Sequence, residues 1–188
     1  MEYRRPLTSD FEKMVTLQNK NLKSALNQSE NLDGFLTASF SAEEFKSMDN
    51  DLCVIVCADG QNIVAYACAS SIEYNKNFPL IATMIKQFPQ IIYKNKPLVS
   101  YNSFIYGPAC IDREYRGKGV LNNIFSKMRD FLLQEHQQFE LLTTIISVEN
   151  ERSIKAHEKL GMKSVGQFEF NENTFWILAL PINRTSAI

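Results

Sequence analysis

Arg116-Gly117-Lys118-Gly119 stands directly before an apolar series at Val120, Leu121, Ile124, Phe125, Met128, Phe131 and Leu132. That spacing predicts a helix with one apolar stripe, with Asn122, Asn123, Lys127, Arg129 and Asp130 largely opposite. A helix starting at Val120 leaves unpaired N–H groups and a partial positive charge at its mouth. The two glycines let backbone approach a ligand closely, and Arg116 and Lys118 add cations at the same spot. Together these features suit an anion such as phosphate. The bland alternative is a tight surface turn whose charges are solvated. A Walker loop is excluded because G-x-x-x-x-G-K-[ST] is absent, and Asn122 stands where a dinucleotide fingerprint needs its third glycine.

The segment upstream narrows the ligand. Ser103–Ile111 predicts a strand interrupted by Gly107-Pro108, where a bulge or broken edge is expected because proline cannot donate to a ladder. Backbone groups of Ala109, Cys110 and Ile111 are then free to bind an extended ligand. A molecule with a peptide-like arm followed by a pyrophosphate would meet the strand first and the helix mouth second. Coenzyme A has that anatomy.

The rest of the chain supplies the setting. A helical pattern covers residues 8–26, and Ser41 with Glu44 forms a capping-box spacing ahead of a short helix. Two β-prone runs, 52–58 and 63–74, join through Asp59-Gly60, a hairpin signal. Residues 79–88 read as a short helix inside an insertion at about 75–97. After the quoted helix come a strand at 141–148, a helix at 150–160, and strands Lys163–Phe170 and 174–180 around a polar turn. With 188 residues, 45% hydrophobic and 22% charged, this is one mixed α/β domain able to bury a sizeable core. Asn150, Ser153 and His157 are spaced i, i+3, i+7 and share one side of their helix. Asn150 suits an N-cap and Gly161 a C-cap.

Several function classes are set aside on composition. A formal net charge of −1 gives no global attraction to nucleic acid or an anionic membrane. No apolar run reaches the length of a membrane span, and the first residues lack a secretory pattern, so a cytoplasmic protein is expected. Cys53, Cys57, Cys68 and Cys110 lie in apolar surroundings without a CxxC pair and read as buried hydrophobes in a reducing compartment. With His136 and His157 the only histidines, no metal site is expected. The sequons at Asn27 and Asn183 carry little weight without a secretion signal.

The stretch Ile111-Asp112-Arg113-Glu114-Tyr115-Arg116-Gly117-Lys118-Gly119-Val120 resembles the acetyl-CoA motif R/Q-x-x-G-x-G/A of the GCN5-related N-acetyltransferase (GNAT) superfamily. Arg116 and Gly119 take its first two fixed places, and Leu121 stands at the third. Asn150, Ser153, His157, Gly161 and Met162 resemble the family's N-x-x-[AS]-x-x-x-Y-x-x-x-G-[FM] stretch, with His157 in place of tyrosine. The resemblance implies a single GNAT-like domain over 1–188, with a mixed, mostly antiparallel central sheet flanked by helices on both faces. It also implies acetyl-CoA as co-substrate and transfer of an acetyl group to a primary amine by direct attack in a ternary complex. Cys110 and Ile111 would hold the pantetheine arm and the thioester, supply the oxyanion donor, and be flanked by Ala109. Arg116, Gly117, Lys118, Gly119, Val120 and Leu121 would hold the pyrophosphate, and Asn150 with Ser153 would border the cofactor. His157 would protonate the leaving thiolate, or else be a half-buried histidine bonded to backbone. Glu73 is a weak candidate base, beside its reading as a solvated carboxylate. The acceptor is a small-molecule or peptide amine, the protein a monomer or homodimer. The rivals are a non-catalytic CoA-binding module and a nucleotide-binding domain using the same helix mouth.

Overall fold

The computed structural model describes residues 1–182. Its elements run β1 (Glu2–Arg4), α1 (Asp10–Asn19), α2 (Gln28–Asn31), α3 (Ala42–Asp51), β2 (Cys53–Asp59), β3 (Asn62–Ser71), α4 (Ile72–Asn75), α5 (Pro79–Ile85), β4 (Ile92–Tyr93), β5 (Lys96–Pro97), β6 (Ser103–Ile111), α6 (Val120–Glu135), β7 (Leu141–Ser147), α7 (Glu151–Lys159), β8 (Lys163–Phe170) and β9 (Asn173–Pro181). Seven strands form one sheet in the order β1-β2-β3-β6-β7-β9-β8. Every pairing in it is antiparallel except β6 with β7.

Strand alternation sorts the core into two faces. In β2, Cys53, Ile55 and Cys57 join the cluster that buries Val120, Ile124, Phe125, Met128 and Leu132 of α6 and packs Ile154 of α7. Val54, Val56 and Ala58 point the other way, onto Phe11, Met14 and Leu17 of α1 and Phe45 and Met48 of α3. The segment from α5 to just past β5 covers the second half of that face. Met84, Phe88 and Leu98 close over Ile105, Leu141, Phe175, Ile177 and Ala179. Its aromatic Phe88 is therefore core rather than an exposed contact surface. All four cysteines are free and buried. Burial pushes the Cys53 and Cys110 thiols up to about 12 and the Cys68 thiol well above its usual value.

Local signals set most boundaries. The Ser41 hydroxyl accepts from Glu44 N at 3.2 Å while Ser41 N donates to Glu44 Oε2 at 2.7 Å, closing the expected capping box. Two expectations are corrected. The helix predicted over 8–26 stops at Asn19, because the chain turns to run beside Leu36. Asn21 Nδ2 donates back to Leu17 O at 2.9 Å, and Leu36 N donates to Asn21 O at 2.8 Å. The strand predicted over 63–74 stops at Ser71, whose hydroxyl accepts from Tyr74 N at 3.1 Å and starts α4. Asn27 is spent capping α2, its Oδ1 accepting from Glu30 N at 2.9 Å. Asn183 lies outside the described residues. Among the described residues no helix is long and apolar enough to cross a membrane.

Candidate active site

The expected interruption at Gly107-Pro108 is a bulge. Ala67 pairs with Ala109 and Ala69 with Tyr106, so two residues of β6 oppose Cys68 alone. On its other edge β6 pairs with β7 only at Ser103–Leu141, Phe104–Leu142 and Ile105–Thr143. Beyond Ile105 and Thr143 the two parallel strands part. One follows β3 to Ile111, the other follows β9 to Ser147. A wedge opens in the sheet between them.

The register decides which amides face that wedge. Asp112 N donates to Val64 O at 2.8 Å. Antiparallel alternation then turns the amides of Ala109 and Ile111 away from β3, into the opening, and the Cys110 amide toward Tyr66. Of the two donors expected for an oxyanion, Ile111 points its amide into the opening and Cys110 is used within the sheet. The Ala109 amide faces the same opening as that of Ile111.

Below the wedge lies the mouth of α6. Gly119 is its N-cap at φ +78 with no side-chain cap, and Gly117 sits at φ +75. A Cβ built on either glycine would meet no protein atom within 4 Å. Packing thus gives no reason for glycine there. Positive φ and open space for a ligand do. Asn123 N is the first helix amide bonded to Gly119 O, at 3.1 Å, which leaves the amides of Val120, Leu121 and Asn122 pointing out of the helix end. Leu121 in the motif's small-residue position keeps its N–H available.

Wedge and helix mouth open into one cleft of about 890 Å³. Ala109, Cys110, Ile111, Arg116, Gly117, Gly119, Val120, Leu121, Asn150, Ser153 and His157 all line it. Lys118 does not. Its Nζ lies 5.5 Å from the Tyr115 ring centroid. Glu73 is not brought to the site either. Its side chain is 81% exposed on α4 and pairs with Lys76 one turn on, as helix spacing dictates. Arg116 lines the cleft but spends its guanidinium on protein oxygens: Nε on Ile111 O at 3.0 Å, Nη1 on Asp33 O at 2.5 Å, and Nη2 on Asn21 Oδ1 at 2.5 Å. It clamps the segment after α2 across the cleft instead of reaching freely for phosphate.

Sequence reasoning missed that segment. Asp33, Gly34, Phe35 and Leu36 form one wall. Asn150 both caps α7, accepting from Ser153 N at 3.3 Å, and donates to Phe35 O at 2.8 Å. Arg152 Nη1 pairs with Asp33 Oδ1 at 2.5 Å, while Lys155 and Lys159 of α7 also line the cleft. The local signals of order there are the Asp33-Gly34 turn dipeptide and the Asn27-to-Glu30 capping-box spacing just ahead of it.

His157 borders this cleft and a second one on the far side of the wedge. Its Nδ1 is 2.7 Å from Ser153 O. A carbonyl only accepts, so the proton is assigned to Nδ1 and Nε2 carries the lone pair. Burial lowers the ring's pKa below its ordinary value, opposed by the Ser153 bond. At neutral pH the ring is uncharged and accepts a proton at Nε2, so it has none to give from that atom at rest. The Tyr106 ring stands edge-on to it, centroids 5.7 Å apart.

Comparison with known proteins decides the family. The acetyltransferase (GNAT) family model matches residues 21–162, spanning the segment after α1, the wedge, the helix mouth and α7. The chain belongs to the GNAT acetyltransferase family. No curated protein matches it at significant similarity. Among solved structures the GNAT fold recurs in Ard1 from Thermoplasma volcanium, at TM-score 0.66 and 11% identity, covering 97% of this chain and 98% of that one. A putative acetyltransferase from Salmonella typhimurium with its cofactor acetyl-CoA aligns at TM-score 0.63 and 12% identity, covering 99% and 96%. The ribosomal-protein-S18-alanine N-acetyltransferase from Escherichia coli aligns at 0.62 and 12%, covering 100% and 99%. At such identities the likeness is one of fold. Membership of the family makes acetyl-CoA-dependent acetyl transfer the general activity. The residues present fit that co-substrate: open-edged amides for a peptide-like arm, then uncapped helix amides beside two glycines for a pyrophosphate.

Proposed function

We propose that the protein transfers an acetyl group from acetyl-CoA to a primary amine by direct attack in a ternary complex. The observation that carries this reading is the meeting of two clefts at Ala109 and His157, where β6 and β7 part. Acetyl-CoA supplies a thioester, an acyl group already activated. The chain supplies position and proton traffic. The wedge-facing amides of Ala109 and Ile111 are donors for the carbonyl oxygen as it gains charge. His157 Nε2 takes a proton from the ammonium, which frees the nitrogen lone pair. The amine gives up two protons in becoming an amide. One returns from His157 to the departing sulfur, and the other leaves to solvent.

A route through an acyl-enzyme is disfavoured by Cys110, the one thiol lining the cleft. Burial holds it at about 12, so almost no thiolate exists at neutral pH. Initial rates of thiol release, measured over a grid of acetyl-CoA and amine concentrations, test the scheme. Direct attack gives intersecting double-reciprocal lines. Parallel lines, or an acetylated protein trapped without amine, would refute it.

A further inference from the structure

The second cleft has a chemistry of its own. It encloses about 460 Å³, within the range of small-molecule sites, and joins the first at Ala109, Asn150, Ser153 and His157. Its walls come from the segment after α2, the start of α3, the α4–α5 turn and the wedge edges of β6 and β7. Phe40, Phe78, Leu80, Ile81 and Phe170 give it apolar sides. Phe40 and Phe78 meet edge to face with centroids 5.9 Å apart, which fixes the aromatic wall.

Its charge is as informative as its apolarity. Among the described residues that line it there is one carboxylate, Glu44, and no lysine or arginine. Glu44 is held in place: Oε2 accepts from Ser41 N at 2.7 Å and from Ser41 Oγ at 2.9 Å. One fixed negative charge matches one ammonium. A polyamine or aminoglycoside would bring further cations into an apolar enclosure with nothing to pair them. A free amino acid would bring a carboxylate that finds no cation. A long peptide would exceed an enclosure of about 460 Å³.

We infer that this cleft binds the acceptor, and that the acceptor is a small primary monoamine on an uncharged apolar body of about aromatic-ring size. The inference rests on the transfer reading above. It adds which amine is used and where it enters. The ammonium is drawn in by Glu44, the apolar body lies against Phe78, Leu80 and Phe170, and the nitrogen reaches His157 from the side opposite the thioester arm.

Thiol release at saturating acetyl-CoA tests it with five probes: 2-phenylethylamine, n-hexylamine, phenylalanine, spermidine and a short amidated peptide with N-terminal phenylalanine. The two apolar monoamines are expected to exceed the other three in kcat/KM by at least about tenfold, the scale on which an apolar pocket discriminates. Ala38 is half-buried on the cleft wall. Ala38→Trp should raise the KM for 2-phenylethylamine by about tenfold or more while the calorimetric Kd for acetyl-CoA stays put. Equal or better use of spermidine, phenylalanine or the peptide overturns the inference. So does an unchanged amine KM in Ala38→Trp, or no turnover of either apolar amine by a protein that binds acetyl-CoA. Failure to bind acetyl-CoA at all sinks the transfer reading instead, so the two failures are told apart.

Discussion

Gly119→Val weakens acetyl-CoA binding by roughly 10²–10⁴-fold and leaves a cooperatively folded protein. The residue sits at φ +78, where a β-branched side chain is strained, yet its Cβ would meet no protein atom within 4 Å. The strain costs on the order of 1–2 kcal/mol of stability. The larger effect falls on the ligand, because the isopropyl group fills the space beside the free amides of Val120, Leu121 and Asn122. Losing two hydrogen bonds to a charged pyrophosphate costs about 3–6 kcal/mol, or roughly 10²–10⁴-fold in Kd. Gly60 gives the control. It too has positive φ, +59, and open space for a Cβ, but lies in the β2–β3 turn and does not line the cleft. Gly60→Val should lose comparable stability and keep its acetyl-CoA affinity. Wild-type affinity in Gly119→Val, measured by calorimetry beside that control, would make the helix mouth ordinary surface.

His157→Phe lowers kcat by about 10²–10⁴-fold with the acetyl-CoA Kd unchanged. Phenylalanine keeps the bulk and the edge-on contact with Tyr106 and removes only the ring nitrogens. The structure also fixes a pH signature. Burial depresses the His157 pKa below 6.5 in the folded protein. The unfolded chain therefore binds this proton more readily, and the neutral ring favours the folded state. That contribution is complete above the unfolded value of about 6.5 and is lost as pH falls through the folded pKa. The kcat profile should show an acidic limb in the same window, as Nε2 becomes protonated. Both features should vanish in the Phe variant. His157→Tyr separates accepting a proton from donating one. A phenol donates but is no base near neutrality, so Tyr should be as slow as Phe at pH 7. Both should recover toward the amine's own pKa, about 10 for an alkylammonium, where free amine no longer needs a base. Fast turnover by the Tyr variant at pH 7 would return His157 to the donor role that the sequence suggested.

Much of this site is legible in the sequence, and the reason is local physics. The α6 stripe, the glycine turn, the proline-broken β6 and the Asn150 cap each carry their signal within a few residues. The strands Ser103–Ile111 and Lys163–Phe170 fell where patterning placed them. What stayed hidden is held by contacts between distant parts of the chain. Arg116 reaches Asn21 across 95 positions, and Asn150 reaches Phe35 across 115. Such bonds leave no periodic trace, so the wall formed by residues 33–36 and the diversion of Arg116 from phosphate were invisible. Glu73 failed for the opposite reason. A local cap at Ser71 ended the strand early and turned its carboxylate to solvent. The role of His157 depended on which ring nitrogen met the Ser153 carbonyl, which spacing alone does not give.

The central claim is that the wedge and helix mouth form an acetyl-CoA site. A thermal-denaturation series with acetyl-CoA, ATP and NAD tests it most directly, because ligand binding adds RT ln(1+[L]/Kd) to the stability of the folded state. Acetyl-CoA at a hundredfold excess over its Kd should add about 2.7 kcal/mol, with little change from ATP or NAD. An unmoved Tm with acetyl-CoA beside a clear rise with NAD or ATP would contradict the account.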